Sequence, residues 1–255
     1  GVSLDRPGDL GAVKHVLYLM FNEGYSGDVD IAAEAIRLAR GLAAVVDDPE
    51  ASGLLAMMLL HQARRAARTR DDGSLVPLAE QDRGRWDVSA ITEGVEILQA
   101  ALTRDRLGPY QAQAAIAALH ADAPSVEETD WVQIVEWYDE VLALTDTPAA
   151  RLNRAAAVCE ADGAPAGLTA LADVDVGVPR RSAVEAFLHE RNGDLRLAAR
   201  LYAEAAGVAT NLPERNHLNR QAARINQLLG AGDRLDEVLD QELPRFREAL
   251  KRMGE

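Results

Sequence analysis

Apolar residues recur at steps of three and four along almost the whole chain, the spacing that gathers one face of an α-helix. Leu10, Val13, Leu17 and Met20 mark a first helix, with Asp9 placed as its N-cap. Ile31, Ala35, Leu38, Leu42 and Val45 mark a second, opened by Asp28 or Asp30. Pro49 suits the first turn of a third, which runs through Leu55 and Met58 to about Arg68. A turn follows at Arg70-Asp71-Asp72-Gly73-Ser74, and Leu75–Leu78 is the one stretch with β character. The polar run Glu80–Asp87 then leads into a helix carrying Ile91, Val95, Leu98 and Leu102, and Gly108-Pro109 opens another, Tyr110 to His120.

Ala121–Ser125 reads as a boundary between two halves. Beyond it Trp131, Ile134, Tyr138, Val141 and Leu144 share a face, and Leu152, Ala155 and Cys159 lie on the partner helix, which stops at Asp162-Gly163. Gly193-Asp194-Leu195 followed by Ala198, Tyr202 and Ala205 resembles the second half of a tetratricopeptide repeat, with a poor match before Gly193. Leu235, Leu239, Leu243, Phe246 and Leu250 predict a capping helix, kinked or split at Pro244. The pattern therefore predicts an all-α protein of antiparallel helix pairs: a linker remnant over 1–8, a helical bundle over 9–123, and a degenerate tetratricopeptide-like α-solenoid over 124–255.

Composition narrows the class. The 255 residues are 48% hydrophobic but only 4% aromatic, so the core must be built from Ala, Leu, Val and Ile. The net charge of −14 repels a phosphate backbone and argues against nucleic-acid binding by this chain. Cys159 is the only cysteine, so neither an internal disulfide nor a cysteine zinc site can form, and its apolar setting fits a buried structural thiol. No apolar run approaches the roughly 20 residues that span a bilayer, and no secretory signal opens the chain, so a cytoplasmic protein without membrane contact is expected. The start, Gly1–Asp9, lacks an initiator Met and reads as linker, which suggests a piece of a longer polypeptide.

The search for chemistry is mostly negative. The five histidines never pair at i, i+4, and no nucleophile elbow, phosphate loop or dinucleotide fingerprint appears. No catalytic residue, metal site or cofactor is expected. Two polar constellations remain as candidate partner surfaces or internal networks. One is Asn22, Glu23 and Tyr25 around Gly24 at the end of the first helix; its structural reading is a C-cap with Gly24 left-handed. The other joins His61, Arg64, Arg65 and Arg68 to Glu80, Asp82, Arg83 and Trp86 across the turn. If the turn folds back, the three arginines can fork onto Glu80 and Asp82; otherwise they are available to an anionic partner.

Several strings then appear in order: Val16–Ser26, Ala33–Arg40, Leu59-Leu60-His61-x-Ala63-Arg64-Arg65-x-Ala67-Arg68, Glu80-Gln81-Asp82-Arg83-x-x-Trp86-Asp87, Gly108–Ala118, Thr129-Asp130-Trp131 and Leu152-Asn153-Arg154-Ala155. Together they resemble the C-terminal extension of bacterial extracytoplasmic-function sigma factors that carry a tetratricopeptide-like tail. The resemblance covers nearly the whole chain. It implies that the promoter-reading domains precede this segment in the parent protein, and that the segment regulates sigma activity. Its partners would be its own sigma domains, core RNA polymerase or a regulatory protein. Two other readings stay open: a small-molecule sensor or enzyme with a pocket near Trp86 and the arginines, and a free-standing peptide-binding repeat protein.

Overall fold

A computed structural model describes residues 7–26, 29–70 and 74–253, with side chains over 10–24, 30–70, 74–231 and at 234. Among them the regular structure is helical: α1 (Pro7–Ser26), α2 (Val29–Val45), α3 (Pro49–Ala63), α4 (Arg65–Arg68), α5 (Val88–Leu102), α6 (Pro109–Asp122), α7 (Trp131–Leu144), α8 (Pro148–Asp162), α9 (Ala164–Leu171), α10 (Arg181–Arg191), α11 (Leu195–Val208) and α12 (Leu212–Met253). Single 3₁₀ turns form at Leu78–Glu80 and Arg83–Arg85. The β character expected at Leu75–Leu78 reduces to one isolated antiparallel bridge between Thr69 and Leu75. Among the described residues no helix is long and apolar enough to cross a membrane.

The chain divides into two compact units, Gly1–Ala161 and Asp162–Glu255. The division falls later than the break read at Ala121–Ser125, because Ala112 and Ile116 of α6 share a buried cluster with Ile134 and Val141 of α7 and Ala150 and Ala157 of α8. Pro124 ends a helix there without ending the packing.

In the first unit α3 is the central element. Asp48 caps it, its Oδ1 accepting from Glu50 N at 3.2 Å, and Pro49 takes the first helical position. Residues Gly53 to Leu60 are all buried, so α3 is enclosed on every side by α1, α2, α5 and α6. Small residues permit this. A Cβ on Gly94 of α5 would lie 3.0 Å from Leu60 Cγ, and one on Gly53 would lie 2.8 Å from Gln111 N of α6. The helix expected to run to Arg68 is interrupted at Arg64, which ends α3 and precedes the single turn α4.

Gly24 corrects an expectation. It is helical rather than left-handed, and α1 continues past it to Ser26. A Cβ there would collide with backbone of α2, 2.9 Å from Ile31 C and 2.8 Å from Ala32 Cα. Glycine is needed for the crossing of α1 over α2, not for a cap.

The second unit buries Ala186 of α10, Ala198, Ala199, Tyr202, Ala205 and Ala206 of α11, and Leu218, Ala222 and Ile225 of α12. Gly193, at φ +85°, makes the turn between α10 and α11. Glu190 holds all three helices: Tyr202 Oη donates to it at 3.1 Å, and Arg224 Nη2 at 2.6 Å. The expected split at Pro244 does not occur; α12 runs unbroken to Met253. Pro lacks only its own N–H, and a helix can continue past one missing rung when the rest hold.

Candidate functional site

Polar residues of the 80–87 segment strap the helices together. Gln81 Nε2 donates to Val76 O at 3.1 Å, and Asp82 Oδ1 accepts from Gly84 N at 2.9 Å, closing its own turn. Arg83 Nη1 donates to His120 O at 2.7 Å, a cation on the last turn of α6, where the helix dipole favours it. Its guanidinium also lies 4.5 Å from the ring centre of Trp86, which is buried. Asp87 N donates to Ala63 O, satisfying the end of α3, while Asp87 Oδ1 accepts from Ala90 N and caps α5. Gln81, Asp82, Arg83 and Asp87 thus each secure a helix end or a turn.

The expected fork of Arg64, Arg65 and Arg68 onto Glu80 and Asp82 is not what forms. Glu80 pairs with Arg70, Nη2 to Oε2 3.1 Å, at the exposed surface, and Asp82 is occupied by Gly84 N. The residues flanking the turn do come together, Val76 N donating to Arg68 O and Arg70 N to Ser74 O. Arg64 turns the other way: its Nη2 lies 2.8 Å from His61 Nδ1. A guanidinium only donates, so Nδ1 accepts and the ring proton sits on Nε2.

That His61–Arg64 pair forms part of the wall of a cavity of about 620 Å³. His15 and Tyr18 of α1, Tyr110, Gln113, Ile116 and His120 of α6, Tyr138 and Val141 of α7, and Asn153 of α8 are also among the lining residues. Burial and the adjoining Arg64 and Arg68 push the His61 pKa down to about 3. Burial, Arg64 and Arg83 push that of His120 down to about 4. The His61 and His120 imidazoles are neutral at physiological pH. Burial raises Tyr110 and Tyr138 to about 12, so the phenols keep their protons. Among the described lining residues Arg64 is the permanently charged group and none is Asp or Glu; His15 lines the cavity as well.

Close to the cavity, Glu50 is buried against the start of α6. It accepts from Tyr110 N at 2.6 Å and Gln111 N at 3.2 Å, and from Gln111 Nε2 at 3.3 Å. Gly108 offers no side-chain cap, so a carboxylate from α3 supplies one. A Cβ on Gly108 would overlap that carboxylate.

Of the sequence candidates, His61 and Arg64 line the cavity. Arg68 reaches it through its charge on His61. Arg65 on α4 is half-buried and is not a lining residue. Arg83 and Trp86 brace α6 from outside, and Asn22 and exposed Glu23 lie at the end of α1, also apart from the lining residues. The Tyr25 side chain lies outside the described residues. The sequence reading missed Tyr18, Tyr110, His120, Tyr138, Asn153 and Glu50. A signal was available: Tyr18, Tyr110, Gln113 and Asn153 all sit within the strings that carry the resemblance.

The chain matches a family of unknown function, DUF6596, over residues 9–102. It is similar to an uncharacterized protein of Rhizobium meliloti (strain 1021), 38% identical over 233 residues, which covers 86% of this chain and 54% of that protein. The chain thus spans about half the length of the curated relative it matches. No solved structure matches it.

Proposed function

We propose that this chain is the regulatory, non-catalytic C-terminal module of an alternative sigma factor of the extracytoplasmic-function type, acting in the cytoplasm on transcription initiation. The observation that carries the reading is the ordered series of strings from Val16 to Ala155, all within the first unit. They do not scatter over its surface: α1, α3, α6 and α8 bring residues from four of them to one cavity wall. The Rhizobium relative extends well beyond the aligned region, which leaves room in that protein for additional domains. In this reading the promoter is read elsewhere in the parent protein. The acidic module contacts its own sigma domains, core polymerase or a regulatory protein, and does not itself hold DNA.

The test is sequencing the parent gene upstream of Gly1, then run-off transcription by the encoded protein with core polymerase, with and without residues 9–255. Sigma-type regions upstream and a changed transcript yield on truncation are expected. Absence of such regions, or sub-micromolar promoter binding by this chain alone, would overturn the proposal.

A further inference from the structure

The cavity of the first unit encloses about 620 Å³, room for a small organic molecule. A run of rings lines one side of it. His15 and Tyr18 lie 6.3 Å apart, tilted by 30°, and Tyr18 and Tyr110 lie 5.7 Å apart, tilted by 44°. A set of neutral polar groups lines it as well. Among the described residues the phenols of Tyr18, Tyr110 and Tyr138 and the carboxamide of Gln113 make no hydrogen bond to the protein, and none of them is sealed off from solvent. They come from three helices, α1, α6 and α7. Each both donates and accepts, and Tyr110 and Tyr138 keep their protons at physiological pH.

A ligand that displaces water from these four groups must hydrogen-bond them in turn, since each one left without a partner costs about 1–3 kcal/mol. A purely apolar ring therefore fits poorly. Hydroxyl groups match, because they too donate and accept, and the C–H face of a sugar ring packs on the negative face of an aromatic one. We propose that this cavity binds a neutral sugar of one or two rings, its C–H face on Tyr18 and Tyr110 and its hydroxyls hydrogen-bonded to Tyr138 and Gln113. An uncharged ligand leaves Arg64 on His61. Sugar binding goes beyond the regulatory reading and does not depend on it: it is measured on this chain alone, and the transcription assay speaks separately to the sigma role.

The probes are glucose, galactose, mannose, N-acetylglucosamine, maltose and cellobiose, titrated by ligand-observed NMR beside 2-naphthol as an aromatic control. At least one sugar should bind once per chain with a Kd below about 5 mM, and more tightly than 2-naphthol. Tyr138→Phe deletes one hydroxyl and should weaken that sugar about three- to tenfold. The melting temperature should stay unchanged, because the phenol has no partner in the described protein to lose. Asn153→Trp, made at an exposed lining position on α8, should block the cavity and abolish binding. If Tyr138→Phe does not fold, the comparison with 2-naphthol on the unaltered chain and the Asn153→Trp variant decide the matter. No sugar bound below that Kd, tighter binding of 2-naphthol, or undiminished sugar binding to folded Tyr138→Phe or Asn153→Trp would overturn the proposal.

Discussion

Removing the Glu50 carboxylate tests whether a side chain from α3 truly starts α6. Glu50→Ala leaves Tyr110 N–H, Gln111 N–H and one Gln111 side-chain N–H facing an apolar gap. The bond at 2.6 Å is the strong one; the other two, at 3.2 and 3.3 Å, are weaker, and Gln111 Nε2 keeps Arg106 O at 2.9 Å. A lost buried partner costs about 1–3 kcal/mol, more at a charged acceptor. Against this, the pKa of Glu50 is raised, burial outweighing its hydrogen bonds and the charge of Lys14, so the ionised group is itself costly. The net loss for Glu50→Ala should be about 2–3 kcal/mol. Glu50→Gln keeps an oxygen for Tyr110 N and removes the charge, and should lose under about 1 kcal/mol. The pH dependence follows from the raised value. In the native protein the contribution of Glu50 is complete below the unfolded carboxylate pKa and declines as pH rises through the folded one. Glu50→Gln therefore gains on the native protein as pH goes from 4 to 7. Urea denaturation at several pH values measures all three chains. An alanine variant within 0.5 kcal/mol of the native chain, or equal losses for alanine and glutamine, would refute the buried cap.

Two further outcomes can be measured on the same chain. Gly24→Ala puts a methyl group into the α2 backbone and should cost about 2 kcal/mol or more, whereas a left-handed cap glycine would lose only about 1; chemical denaturation distinguishes them. His61 and His120 are held neutral, so the unfolded chain takes up protons below pH 6.5 while the folded one does not until about 3 and 4. Stability is thus full above 6.5 and falls as pH drops, by about 2 kcal/mol for each histidine between pH 7 and 5. His61→Gln should remove one such share, and an unchanged slope would contradict the burial of that ring.

The helices were legible because their apolar spacing is local, and α3, α6 and α11 begin near where Pro49, Pro109 and Leu195 place them. What depended on distant partners was not. Gly24 looks like a cap because the backbone it admits, Ile31 and Ala32, belongs to the next helix. Glu50 looks like an ordinary first-turn acid until Gly108, almost sixty positions on, is seen to lack a cap. The arginines drew attention to the right place, yet for an ion network, because Glu80 is near in sequence. His61, three residues away, is the partner that forms. The cavity had no motif at all: its wall is gathered from α1, α3, α6, α7 and α8, and only the strings of the resemblance sampled most of those helices.

The enclosure of α3 has a consequence for synthesis. In the nascent chain Leu54-Leu55-Ala56-Met57-Met58-Leu59-Leu60 is a run of seven apolar residues without a charge, the kind of segment that associates with its neighbours when exposed. It is translated before either α5 or α6 can cover it. From Ala63 to the end of α6 at Asp122 the ribosome must add 59 residues, which takes roughly three to twelve seconds. Until α5 is complete at Leu102, after the first 39 of those residues, only α1 and α2 can shield the segment. That helical hairpin therefore acts as an intramolecular holdase for α3, and truncations that begin after Val45 should emerge as aggregates even though every residue of α3, α5 and α6 is present.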